Sequence, residues 1–345
     1  MKRNIWGLNL QELETWVVEN GFPRFRAKQL RDYLYKRHIF DFDEMTQFSQ
    51  KMRDWLKENG QIDKPVIISR AQSDDEKTIK LLLKLKDGSL VETVCMCHHY
   101  GNSICVSTQV GCAMGCIFCA STRKGLERNL TAGEILAQMY AFKELYDIPF
   151  HSIVLMGAGE PLTNYEEVLH FIHLANDPEL LNISYRNITI STCGIVPQIY
   201  RLADENIPIT LAISLHAPND RIRNVLVPIS KNFRIKDVVS AAEYYFKKTK
   251  RRVTFEYILI KDMNASVENA KELCRLIGKM PCHINLIPIN GIEHIKLYPP
   301  EWKEIKRFQD ILLKKGKETT VRKQMGDEIQ AACGQLKRRY LNSVT

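Results

Sequence analysis

From Ile104 onward the chain alternates short apolar runs with amphipathic stretches, and this alternation restricts the fold more than any other feature. Apolar, β-favouring runs predict strands at 104–107, 152–156, 187–191, 210–215, 253–260 and 283–287. Helical spacing of apolar residues predicts helices near 131–146, 165–175, 197–204, 236–248, 266–278 and 301–315. Thr131-Ala-Gly-Glu134 opens the first helix as a capping box. Repeated β–α units imply parallel strands joined by right-handed crossovers. Six units fall short of the eight that close a full barrel. The expected fold class is therefore α/β, a partial open (β/α)6 TIM-like barrel over residues 101–320.

The segment before the barrel reads differently. Residues 1–65 are expected to form a small N-terminal helical accessory domain. Leu10, Leu13, Trp16 and Val17 keep helical spacing, as do Leu30, Tyr33 and Leu34, and Met45 to Leu56 suggests a third helix. Arg24, Arg26, Lys28, Arg31, Lys36 and Arg37 leave two roles open for it, RNA contact or a cap on the barrel. Residues 66–100 read as a β-hairpin extension, with Thr78 to Leu85 and Leu90 to Cys95 flanking the turn signal Lys86-Asp-Gly-Ser. Residues 321–345 form a C-terminal segment.

Polar and glycine-rich residues gather just after the predicted strands. Cys112 to Cys119 follow the first, Gly157-Ala-Gly159-Glu160-Pro161 the second, and Ser191-Thr-Cys-Gly194 the third. Ser214-Leu215-His216 ends the fourth, and Asn290 follows the sixth. Parallel barrels bind ligands at the C-terminal ends of their strands. Five loops thus converge on one mouth.

The first of these loops carries Cys112-x3-Cys116-x2-Cys119. Three thiolates on a short loop can hold three corners of a cubane iron–sulfur cluster, which ordinarily takes four. A missing fourth ligand leaves one iron open to a substrate or cofactor. Gly111 and Gly115 suit a loop whose backbone approaches a cofactor closely. Structural zinc, which prefers four protein ligands, and a set of inert buried thiols remain the alternatives.

Ten cysteines without a secretory signal or an eighteen-residue apolar run fit a reducing, cytoplasmic setting and no membrane. A formal charge of +9 favours a polyanionic partner. Basic clusters at Lys247 to Arg252, Lys314 to Lys317 and Lys337 to Arg339 serve either that partner or a solvated surface.

The three-cysteine motif after a first strand resembles the radical S-adenosylmethionine (SAM) superfamily. A longer set of strings is similar to the RlmN/Cfr family of RNA adenosine methyltransferases. It comprises Glu92-Thr-Val, Cys105-Val-Ser-Thr-Gln-Val-Gly-Cys112, Asn129-Leu-Thr and Met156-Gly-Ala-Gly-Glu-Pro161. It continues with Ser214-Leu-His-Ala-Pro218, Asn285-Leu-Ile-Pro288 and Ala331-Ala-Cys-Gly-Gln-Leu336. The resemblance implies a [4Fe–4S] cluster on Cys112, Cys116 and Cys119, and two SAM molecules per turnover. Cys333 would be methylated by one SAM. The second SAM, cleaved at the open iron, would yield a radical that takes hydrogen from that methyl, and the resulting carbon would add to adenine. Glu92 would remove the ring proton, and Cys105 would release the product through a disulfide with Cys333. Gly159, Glu160, Ser191, Ser214, Leu215, His216 and Asn290 would hold SAM.

Pro161 resembles the carbon-2 branch acting on 23S rRNA and tRNA; a carbon-8 enzyme of the Cfr type is the alternative. In Asn290-Gly-Ile-Glu-His-Ile-Lys the sequence after the asparagine departs from the family's commoner one, which bears on RNA preference. An external one-electron donor such as flavodoxin or ferredoxin and a monomeric state are further expectations. From another class, a non-catalytic RNA-binding protein with a structural metal stays open. Cys95, Cys97, Cys193, Cys274 and Cys282 are read as structural.

Overall fold

The alternating segments build one ten-stranded sheet, flanked by two small two-stranded ribbons. A computed structural model describes residues 2–146, 148–290, 296–322, 329, 331 and 334–336. The N-terminal part holds β1 (Arg3–Asn4), α1 (Leu10–Glu19), α2 (Phe25–Tyr35), α3 (Gln50–Asn59) and β2 (Gly60–Gln61). Next come β3 (Val66–Gln72), β4 (Thr78–Lys84), β5 (Leu90–His98), β6 (Gly101–Cys105), β7 (Gln109–Gly111) and β8 (Leu126–Asn129). The barrel continues with α4 (Ala132–Tyr146), β9 (Phe150–Leu155), α5 (Tyr165–Asn176), β10 (Ile188–Thr192), α6 (Val196–Asp204) and β11 (Thr210–Ser214). It ends with α7 (Asp220–Leu226), α8 (Ile235–Thr249), β12 (Val253–Leu259), α9 (Val267–Ile277), β13 (Cys282–Pro288), α10 (Trp302–Lys314) and β14 (Glu318–Val321).

The strand order is β14-β13-β12-β11-β10-β9-β6-β5-β4-β3, so the barrel is open between β14 and β3. Strands β6 and β9 to β14 are parallel neighbours. The six expected β–α units are present, and β14 adds a seventh parallel strand that the sequence reading did not assign. Its four residues, Glu-Thr-Thr-Val, are too few to show alternation, and pairing with β13 defines them. The expected hairpin is β4 and β5. It continues through antiparallel pairing into β6, so it extends the barrel sheet itself. The turn forms as its sequence dictates, with Gly88 at positive φ and the Leu85 N–H donating to Ser89 O.

Helix α4 carries the expected capping box. Glu134 N–H donates to Thr131 Oγ1 at 3.2 Å, and Thr131 N–H donates to Glu134 Oε2 at 2.9 Å. One apolar core runs from Ile5, Trp16 and Leu34 through Ile153, Leu211 and Phe255 to Phe308, so the N-terminal helices share the barrel's core. Gly7 and Gly133 make the join close. A Cβ on Gly7, which has φ +89°, would lie 2.3 Å from Gly133 Cα. The Trp6 indole N–H donates to Gly133 O beside them.

Candidate active site

The cysteine motif is the tip of a two-stranded ribbon. Antiparallel β7 and β8 pair, and Cys112 N–H donates to Gly125 O where the loop leaves them. The Thr122 hydroxyl donates to the carbonyls of Cys116 and Cys119, at 3.2 and 3.0 Å. The Ile117 N–H docks on Leu226 O at the end of α7. Hydrogen bonds inside the ribbon thus set the loop's shape, and the long-range one to α7 holds its tip.

All three thiols line one cavity of about 160 Å3 at the strand C-termini. The same cavity is lined by Gly159, Glu160, Ser191, Ser214, His216 and Asn290. Among the described residues no three His, Cys, Asp or Glu side chains converge on a single ion. The three thiols border the shared cavity. Burial pushes the Cys112 thiol up to about 12. Burial, with repulsion from Cys119 and Cys112, pushes Cys116 up as well. Bare thiolates are thus disfavoured here, whereas bound metal deprotonates a coordinating thiol outright. The donor set fits a [4Fe–4S] cluster.

The opposite wall is a buried carboxylate. Glu160 Oε1 accepts the Leu162 N–H at 3.0 Å, and Oε2 accepts the Cys193 N–H at 2.7 Å. Burial nevertheless pushes its carboxyl above the ordinary range, against those donors. Gly159 is fixed in place by its neighbours. Its φ is +113°, and a Cβ would fall 2.7 Å from Gln109 Cβ.

His216 is one of few non-glycine residues at positive φ, 59°. Its Nδ1 accepts the Ile258 N–H at 3.0 Å, and the Phe118 ring meets it edge-on at 4.8 Å. Burial, with a contribution from Arg223, drives its pKa down to about 3. The ring is neutral, and with Nδ1 accepting, Nε2 carries the proton as a fixed donor. Leu215 is buried in the core and its N–H donates to Glu256 O, so Ser214 and His216 face the cavity while Leu215 anchors the segment.

A second cavity adjoins the first, and a third adjoins the second. The second is lined by Cys105, Val94, Cys119, Ser121, Met156, Ala331, Gly334 and Leu336. Cys119, Met156, Gly157, Arg322 and Gly334 belong to both it and the cluster cavity. The third is lined by Glu92, Arg123, Lys124 and Gly111, and it shares Ser121 and Leu336 with the Cys105 cavity. Ala120 N–H donates to Gly334 O at 2.7 Å and Ser121 Oγ to Leu336 O at 3.1 Å. Cys333 itself lies outside the described residues. Glu92 is buried in the sheet, where Lys80 Nζ stands 3.1 Å from its Oε1.

Sequence reasoning passed over several wall residues. Cys193, read as structural, lines the cluster cavity, as do Glu256 and Arg322. Glu256 did carry a signal, being a carboxylate inside the apolar run Val253–Leu259. Lys80 and Arg223 carried none.

Comparison with known proteins follows this geometry. Residues 106–274 match the family model for the radical SAM superfamily. Residues 3–62 match the ribosomal RNA large subunit methyltransferase N-terminal domain. A relative in Clostridium novyi, named a probable dual-specificity RNA methyltransferase RlmN, is 48% identical over 99% of both chains. Its Clostridium perfringens counterpart of the same name is 48% identical over 99% of this chain and 98% of its own. The chain belongs to the RlmN family. A crystal structure of a radical SAM methyltransferase from Sphaerobacter thermophilus matches with TM-score 0.92 at 42% identity, over 96% of this chain and 98% of that one. As an RlmN-family member the chain is a radical SAM RNA methyltransferase, with a [4Fe–4S] cluster and SAM as cofactors.

Proposed function

We propose that this RlmN-family enzyme methylates carbon 2 of adenosine in 23S rRNA and in tRNA next to the anticodon, through S-methylated Cys333. The observation that carries the reading is the order of the three cavities. The cluster thiols, then Cys105 with the chain neighbours of Cys333, then Glu92, follow one another through shared walls. The relatives' name, dual-specificity RNA methyltransferase, supports two RNA substrates. Pro161, buried behind Glu160, supports carbon 2 over carbon 8.

When bound, the cluster and SAM supply the one-electron chemistry that makes an S-methyl carbon reactive. Cys112, Cys116 and Cys119 hold the cluster. Glu160 accepts from the SAM ammonium, with Gly159 leaving room beside it. Ser191, Ser214, the His216 Nε2–H and Asn290 complete the polar contacts, and Leu215 fixes that segment. With one hydrogen removed by that chemistry, the methyl carbon would bond to the adenine ring while still held by the Cys333 sulfur, and the adduct would give one electron back. Glu92 then takes the ring proton. The Cys105 thiolate attacks the Cys333 sulfur, the S–C bond breaks with its electron pair passing to the one-carbon unit, which takes up a proton to become the methyl group, and a disulfide remains for external reduction. Arg123 and Lys124, beside Glu92, suit the phosphates flanking the target. A flavodoxin or ferredoxin would serve as electron donor, and the cytoplasm as the setting.

Mass spectrometry of rRNA and tRNA from cells with and without the gene tests this. The expected result is 2-methyladenosine in both RNAs, lost on deletion and restored by the gene. A methyl group on carbon 8, or no change in either RNA, would contradict it.

A further inference from the structure

Arg223 on α7 is fully buried, with none of its side chain reaching solvent. Its hydrogen-bonded partners are all backbone carbonyls. Nε donates to Leu215 O at 3.2 Å, and Nη2 donates to Cys193 O and, at 3.5 Å, to Ser214 O. Nη1 is buried with no partner among the described residues. On the same helix, Asp220 stands near enough for its charge to favour the guanidinium, but it makes no hydrogen bond to it, and its Oδ1 accepts the Ile235 N–H. Carbonyls solvate a cation without neutralising it. A buried guanidinium left in that condition is costly, and buried charges are ordinarily paired.

The position of Arg223 indicates what would balance it. Cys193, whose carbonyl it holds, lines the cavity shared by the three cysteines. One turn further along α7, Leu226 O receives the Ile117 N–H from the middle of the cysteine loop. Leu226, Cys193, Cys112 and Phe118 pack in one apolar cluster. A Cβ on Gly194, the residue after Cys193, would lie 3.1 Å from Arg223 Nη2, so the guanidinium lies directly behind that loop. With the cofactor in place, three thiolates outweigh the dicationic resting core of a [4Fe–4S] cluster. The net charge is negative, and it becomes more so on reduction.

We propose that Arg223 is the buried counter-charge of the cluster, a positioning residue that eases the cluster's reduction and holds it in place while clamping the Cys193 and Ser214–Leu215 loops. Reduction adds a negative charge in a low-dielectric wall, so a nearby fixed cation favours the reduced state. The inference depends on the cluster residing on Cys112, Cys116 and Cys119, and not on which base is methylated.

Three proteins test it: wild type, Arg223→Gln, which keeps N–H donors without the charge, and Arg223→Lys, which keeps the charge. Each is purified anaerobically and reconstituted, and the cluster's midpoint potential is followed by electron paramagnetic resonance. The expected result is a more negative potential in R223Q and restoration toward wild type in R223K. Iron loss to a chelator should be ~10-fold faster in R223Q, as for other residues that support metal ligands from behind. Equal potentials in wild type and R223Q, with both variants equally less heat-stable without iron, would overturn the proposal and leave Arg223 a carbonyl clamp. Should R223Q fail to fold, R223K decides alone: it must hold the wild-type potential, and a shift as large as its loss of stability contradicts the charge role. A wild-type protein that binds no iron would overturn the cluster assignment instead.

Discussion

Lys80 and Glu92 sit on neighbouring strands with their charged atoms 3.1 Å apart, and both side chains are at most 15% exposed. A charge shielded this far is tolerable only beside its opposite. Replacing Lys80 by Met should cost about 3 kcal/mol, because Glu92 is left buried without its ammonium. The double variant Lys80→Met/Glu92→Leu should regain most of that loss. Urea unfolding of the single and double variants measures both, and a double no more stable than the single would contradict the pairing. This contact was not legible in the sequence, which equally allowed Glu92 to face water from an edge strand. Its partner lies on another strand, and only register brings them together. His216 is similar. Its place after a strand marked it, but its left-handed backbone and fixed tautomer follow from the Ile258 N–H on β12. The three cysteines were legible because their loop is local, shaped by residues within the ribbon between Gln109 and Asn129.

Among elements, α1 and α5 meet through Glu12 and His170, whose Oε2 and Nε2 are 3.3 Å apart. The Glu12 carboxylate beside its Nε2, partly opposed by burial, holds the His170 pKa above its ordinary 6.5. A raised histidine pKa stabilises the folded state fully below the unfolded value, and the benefit disappears as pH rises through the folded one. Thermal melting of the wild type should therefore fall as pH climbs from below 6.5 into the alkaline range, relative to His170→Gln. Parallel pH curves for the two proteins would contradict this link between the N-terminal helices and the barrel. The long periodic helices and strands were legible because each carries several turns or alternations of its own pattern. The short α7 and β14 were not. Asn219 caps α7, its side chain accepting the Ile222 N–H, but seven residues are too few for a periodic signal. These two unforeseen elements bear on the site directly, since α7 brings Arg223 and β14 leads into Arg322 at the cavity wall.

At the scale of the molecule, one core joins the N-terminal helices to the open barrel, and the barrel mouth carries three cavities in series. Their connection was out of reach for sequence reasoning. It depends on Ser121, Leu336 and Gly334 standing side by side from distant parts of the chain. Among the described residues no helix is long and apolar enough to cross a membrane. The proposed function turns on Cys105 freeing RNA from Cys333, and the Cys105→Ala variant probes that step. Expressed with its RNA substrates, that variant should accumulate a covalent protein–RNA species that nuclease digestion reduces to one nucleotide on the Cys333 peptide. The species should be absent from Cys105→Ala/Cys333→Ala. A Cys105→Ala protein that carries no RNA, or that releases methylated RNA at the wild-type rate, would contradict the account.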